Sequence, residues 1–251
     1  MLSAVAKRQS PRLLLISLAG WLLLLASDRQ LMLPGLCLSP STRPLSGGIE
    51  AVFAFNPPPT LMLGWLAMML AMMPPLLTQP MAHLWHRSLA RRRSRAIAAF
   101  AVGYGAVWLA AGIVLTAMAI LLKAMTAAMA MPALVAAAAL AIVWQIAPVR
   151  QICLNRCHRL PRLSVFGVAA DLDCLNYGVA VGLSCAGSCW ALMLMPLVAE
   201  GMQLSVMAAV SVVLIAERVA PARPARWGFA VPAVLMDAFP RLRPDRMERT
   251  V

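Results

Sequence analysis

Polar and apolar positions along this chain come in blocks and do not alternate. Continuous apolar runs cover 13–26, 60–77, 96–122, 133–147, 175–198 and 202–216, separated by shorter stretches rich in Arg, Pro and Gly. Uninterrupted apolar runs without strand-type alternation predict helices, and about 20 apolar helical residues cross a bilayer core about 30 Å thick. A closed barrel would need alternating in-and-out positions. The pattern therefore predicts an all-α polytopic membrane protein, a bundle of about six transmembrane helices.

The connecting stretches refine that picture. Lys7, Arg8 and Arg12 precede the first run, the layout of a signal peptide. Only Ser27-Asp28-Arg29 follows in place of a small-x-small cleavage site, which favours an uncleaved first span, lengthened by tilt or by the 31–33 patch. Residues 34–59 carry Pro34, Pro40, Pro44, Gly47, Gly48 and the Asn56-Pro57-Pro58-Pro59 run, and predict a loop. Three regions follow: 1–59, a first span and an extracytoplasmic Pro/Gly-rich loop; 60–220, a transmembrane domain; and 221–251, a Pro/Arg-rich tail. The tail's apolar patch at 227–239 is too polar and Pro-broken to span.

Composition and charge exclude several classes. The chain is 62% hydrophobic and 12% charged, where soluble domains run near 45–50% and about 25%. The net charge is +13, and the basic residues cluster at the N-terminus, 87–95, 150–162 and 218–226, with the segments between them nearly free of positive charge. Six spans place all four basic segments on one side, the cytoplasmic side by the positive-inside rule, with both termini there. The same arginines face anionic headgroups of the lipid bilayer. No basic face with stacking aromatics marks a nucleic-acid site.

Three sulfur-bearing constellations are candidates for chemistry. Met68, Met69, Met72 and Met73 form two i, i+4 pairs ahead of Pro74 and Pro75. Thioethers are soft, uncharged ligands suited to Cu(I), and equally adaptable fillers between helices. Cys185, Cys189 and Met193 follow an i, i+4, i+8 stripe, with Gly182 and Gly187 allowing a neighbouring helix to approach; buried Cys also serves as a small hydrophobe. Cys153, Cys157 and His158 form a Cys-x3-Cys-His cluster among arginines in a cytoplasmic segment. There the arginines are expected to lower the thiol pKa values. The spacing is not a zinc-finger pattern, and Cys174, His83 and His86 are candidates to close the cluster.

Acids add little. Glu200 sits in a turn facing water, and Glu217 next to Arg218 reads as an ion pair or a snorkelling helix end. No nucleophile–base pair, P-loop or dinucleotide fingerprint is present, so the sequence offers no positive case for hydrolytic or phosphoryl chemistry.

The ordered set Trp65-x2-Met68-x2-Ala71-Met72-Met73 with its prolines, Tyr104-x3-Trp108, Cys153-x3-Cys157 and Pro161 resembles a bacterial family of metal-binding integral membrane proteins, some labelled copper chaperones. The resemblance continues through Gly178-x3-Gly182-x2-Cys185-x-Gly187-x-Cys189-Trp190-x-Leu192-Met193, Gly201-Met202-x4-Met207 and Glu217-Arg218. It implies an inner-membrane protein handling a soft metal ion, best suited to Cu(I), with a metal chaperone or metalloprotein as partner. Two positions depart from the family pattern: Ser188 replaces a cysteine, and His158 stands where an arginine is expected. Two other readings stay open, a membrane thiol oxidoreductase working through cysteine pairs and an assembly scaffold for a neighbouring metalloprotein.

Overall fold

Each of the six apolar runs is helical over most of its length in the computed structural model, which describes residues 2–28, 58–129, 131–164, 166–220 and 224–228. The predicted loop at 34–59, all but its last two residues, and nearly all of the 221–251 tail with its apolar patch lie outside the described residues. Among the described residues there is no strand. The helices are α1 (Leu2–Asp28), α2 (Pro58–Met72), α3 (Thr78–Arg87), α4 (Arg93–Ala128), α5 (Ala133–Ile146), α6 (Pro148–Cys157), α7 (Gly167–Val198) and α8 (Gln203–Val219). Short 3-10 turns, Pro74–Leu77 and Ala90–Arg92, lead into α3 and α4.

Among the described residues, two helices are long and apolar enough to cross a membrane: α4 with its leading turn (Ala90–Ala128) and α7. Two more candidates are broken, Pro59–Met72 with Pro74–Arg87 bent by 53° and Ala133–Ile146 with Pro148–Cys157 bent by 71°. Prolines account for both breaks. Pro74 and Pro75 bring no N–H to the helical ladder, and Pro148 is tolerated because it opens the first turn of α6. The segments at 78–87 and 148–157 are thus short helices bent away from their apolar neighbours.

The centre of the molecule is the α4–α7 pair. Cβ atoms added at Gly103 and Gly178 would collide with the backbone carbonyls of Leu175 and Phe100 respectively, and one at Gly182 would lie 3.0 Å from Val107. These contacts advance together along both helices, so α4 and α7 run parallel. Glycine is required here because only its missing side chain lets the backbones approach this closely. Phe100, Tyr104 and Trp108 recur every fourth residue along α4 and are all buried. Trp65 of α2 reaches this ladder, donating from Nε1 to the Trp108 carbonyl at 2.8 Å. On the other side α1 lies on α2, where Ser17 donates to the Ala71 carbonyl.

Candidate metal centre

Along α7 the buried positions Cys174, Tyr177, Val181, Cys185, Cys189 and Met193 form one stripe facing the core. The helical period puts them there, and the glycines of the α4 contact set its depth. Cys185 and Cys189 are 3% and 1% exposed and Met193 is fully buried. The Cys189 thiol donates to the Cys185 carbonyl at 3.0 Å, and Ser188 donates to the same oxygen at 2.8 Å. This back-bonding to the preceding turn satisfies small polar groups inside an apolar helix. Tyr104 of α4 adds a hydroxyl 3.8 Å from the Cys185 sulfur.

Helix α6 brings the second cysteine pair to the same place. Its 71° bend from α5 lays a short helix carrying Arg150, Gln151, Asn155 and Arg156 against the middle of α7. Cys153 packs on Gly187, whose hypothetical Cβ would sit 2.9 Å from the Cys153 sulfur. Cys157, the last residue of α6, is 2% exposed and lies within electrostatic reach of both Cys185 and Cys189. The loop cluster and the α7 stripe, separate in sequence, are one neighbourhood in space. His158 caps α6, with its Nε2 buried and without a hydrogen-bond partner. His83 does not close the cluster: its Nε2 is held by the Pro161 carbonyl at 2.9 Å, and its ring sits edge-on to Tyr177.

The charges correct the sequence reading of Glu217-Arg218. Glu217 pairs with Arg150, whose side chain is 2% exposed, and accepts from Gln145 at 2.9 Å. Arg218 points elsewhere: its guanidinium, with one buried nitrogen lacking a hydrogen-bond partner, lies within electrostatic reach of Cys157 and Cys185. Neighbours on a helix point about 100° apart, so an acid and a base in sequence seldom share a partner. The expected acidification of the loop thiols is also corrected. Burial pushes the Cys157 thiol up to about 11, against the pull of Arg218, and raises that of Cys153 against Arg156. His158 is held below its ordinary value by burial and by Arg218, which keeps the imidazole neutral and available.

Met68, Met72 and Met73 are buried, at 1%, 2% and 1% exposure, and Met69 is half-buried. All but Met69 belong to the same continuous core as Cys157, Cys185, Cys189 and Met193, with Met69 packed against it. Among the described residues, no three Cys, His, Asp or Glu side chains converge to form a metal-binding group; the arrangement offers paired thiols bordered by thioethers. All five described cysteines are free. Sequence reasoning missed Arg218 and Tyr104 as partners of the thiols. The available signal was a lone cation ending an apolar helix, where only a specific partner justifies burial.

A family model described as PpoB2, copper chaperone, matches residues 62–238. That stretch spans every candidate ligand above. No curated protein and no solved structure matches the chain.

Proposed function

The chain belongs to the PpoB2 family of copper chaperones, and on that premise we propose that it is an integral membrane protein that takes Cu(I) as cargo and passes it through its helical bundle. In this reading the six apolar runs all span a bacterial inner membrane, with both termini and the arginine-rich end of α4 and α7 in the cytoplasm. The observation that carries it is the docking of α6 on α7, which sets Cys153 against Gly187, between Cys185 and Cys189, and brings Cys157 within electrostatic reach of both and of Arg218.

Thiolate and thioether sulfurs select Cu(I) over hard cations, and Cu(I) is content with two or three ligands. Two thiolates on one Cu(I) carry a net negative charge, which is costly in a low-dielectric core unless a cation lies beside it. Arg218 supplies that cation. The Tyr104 hydroxyl beside Cys185 adds a donor to the same sulfur. Met193, one turn beyond Cys189, extends the soft donors away from the arginine-rich end, and Met68, Met69, Met72 and Met73 add thioethers in or against the same core. Cys153 and His158 stand at the entrance, and exchange among several weak sites suits transfer rather than storage.

The test is Cu(I) affinity by chelator competition on anaerobically purified full-length protein. Cys157→Ser, Cys185→Ser and Cys189→Ser are each expected to weaken binding by more than the roughly 10–100-fold that losing a supporting group costs. Arg218→Gln falls within that range, and Ser188→Cys, which adds a thiol beside Cys189 on the same helix, strengthens binding. A wild-type protein that retains no copper under reducing conditions ends this reading. The nearness of Cys157 to Cys185 also favours a thiol oxidoreductase as second reading. A mixed disulfide trapped by Cys157→Ala would select it, and stoichiometric copper would oppose it.

A further inference from the structure

Two buried donors beside Cys157 have no hydrogen-bond partner: the Tyr177 hydroxyl and Nη2 of Arg218. Tyr177 lies within electrostatic reach of both Cys157 and Arg218, and Arg218 within reach of Cys157. Buried polar atoms are nearly always paired, so two idle donors gathered about one sulfur call for a reason. The sulfur itself suggests one. A thiol accepts hydrogen bonds only weakly, whereas a bond to an ionised acceptor is roughly twice as strong as a neutral one.

The Tyr177 ring is firmly placed. It belongs to the buried stripe of α7, 4% exposed, between Cys174 and Val181. His83 meets it edge-on at 5.7 Å between ring centroids, and Phe100 lies tilted against it at 5.4 Å. His83 is in turn held by the Pro161 carbonyl at 2.9 Å. A phenylalanine would make the same ring contacts without burying an unpaired hydroxyl, which costs free energy. The hydroxyl therefore contributes where the sulfur near it carries charge.

We propose that Tyr177 is a positioning residue for Cu(I): its hydroxyl, together with Arg218, donates to the Cys157 sulfur when that sulfur is a metal-bound thiolate. The proposal rests on the copper reading above and deepens it. As the sulfur–copper bond forms, the thiol proton leaves to solvent, and the sulfur becomes a strong acceptor for donors already in place. Partners of this kind orient a ligand and steady its charge, and donors fixed beforehand need no reorganisation. Tyr177 stands on α7 and Arg218 on α8, so the same bonds draw the end of α6 against both helices.

Tyr177→Phe in the anaerobically purified full-length protein tests this, with Cu(I) affinity by chelator competition measured beside thermal unfolding of the copper-free protein in detergent. Affinity is expected to fall about tenfold, the lower end of the range for an outer partner of a ligand. The copper-free variant is expected to unfold at the same temperature as wild type or higher, because phenylalanine keeps the ring contacts and removes an idle polar group. A merely structural tyrosine would lower that temperature. In a Cys157→Ser background the substitution is expected to change affinity by less than about twofold, since a residue acting through that sulfur has nothing left to act on. Unchanged affinity in Tyr177→Phe, an equal loss in the Cys157→Ser background, or a destabilised copper-free variant overturns the proposal and leaves the copper reading standing. A wild-type protein that retains no copper overturns both.

Discussion

Glu217→Ala tests whether the buried ion pair between α6 and α8 holds the cysteine neighbourhood together. Arg150 and Glu217 are 2% and 10% exposed at their side chains, so neither charge has water to fall back on. At contact distance and an effective dielectric near 20, such a pair is worth about 5 kcal/mol. Removing one partner of a buried pair costs about 3–5 kcal/mol, because the other charge is stranded. Arg150 has little else to turn to: its Nε is buried without a partner, and its contact to the Gln145 carbonyl is long, at 3.5 Å. At about 1.4 kcal/mol per factor of ten, local release of α6 becomes roughly 100- to 3000-fold more frequent. Cys157 reports the event directly, since it ends α6 and is buried while α6 is docked. The assay is the rate at which a membrane-impermeant maleimide labels Cys157, with the other cysteines replaced by serine. Glu217→Ala is expected to accelerate labelling by two to three orders of magnitude. Replacing both partners, Arg150→Met with Glu217→Leu, restores most of the protection, because apolar isosteres leave nothing stranded. A Glu217→Ala rate within twofold of the unsubstituted background would refute the assignment of this pair as the clamp on α6.

Two further outcomes follow from the packing and the protonation states. Gly178→Ala, whose new methyl would collide with the Phe100 carbonyl, lowers stability by about 1–3 kcal/mol or more. Gly105→Ala, on the same helix pair but facing open space, raises it by up to about 1 kcal/mol through helix propensity; thermal unfolding in detergent separates the two. Because the Cys157 thiol is pushed up to about 11, it stays protonated at neutral pH and must release its proton to bind a metal. Apparent Cu(I) affinity therefore rises with pH, about tenfold per unit for each proton released, with no plateau below about 11 from this group. Competition titrations at pH 6, 7 and 8 check this, and Cys157→Ser should flatten the slope by one proton.

The helical character of the chain was legible because it depends on local pattern. Runs such as 96–122 and 175–198 carry their own evidence, and the helices around them only extend a turn or two beyond. The broken segments were less legible. Pro74 and Pro148 announce that a helix stops, but not the angle at which the chain resumes, which is set by what α3 and α6 dock against. The candidate centre was legible in its residues and illegible in its assembly. Cys153, Cys157, Cys185 and Cys189 stand out by type and spacing, yet only the fold of α6 onto α7 joins them. Arg218 shows the limit most plainly. Beside Glu217 in sequence it reads as that acid's partner, and the helix turns it toward Cys157 while Arg150, 67 positions earlier, takes the acid.

The parallel course of α4 and α7 has a consequence for how the protein is made. Two parallel neighbours cannot be joined by a tight turn, and here α5 and α6 intervene. For a chain threaded into a bilayer as proposed above, α4 is released tens of residues ahead of the helix it will clasp. At about 5–20 residues per second, it waits several seconds with Phe100, Tyr104 and Trp108 turned toward lipid. The two helices suit these different tasks. The more apolar segment is α4, with 28% of its most apolar window buried in the finished molecule; α7 is less apolar, with 67% buried. The early helix can stand in lipid by itself, and the late one, bearing the thiols, enters against a partner already in place. Biogenesis thereby keeps Cys185 and Cys189 out of the membrane until the wall that shelters them exists.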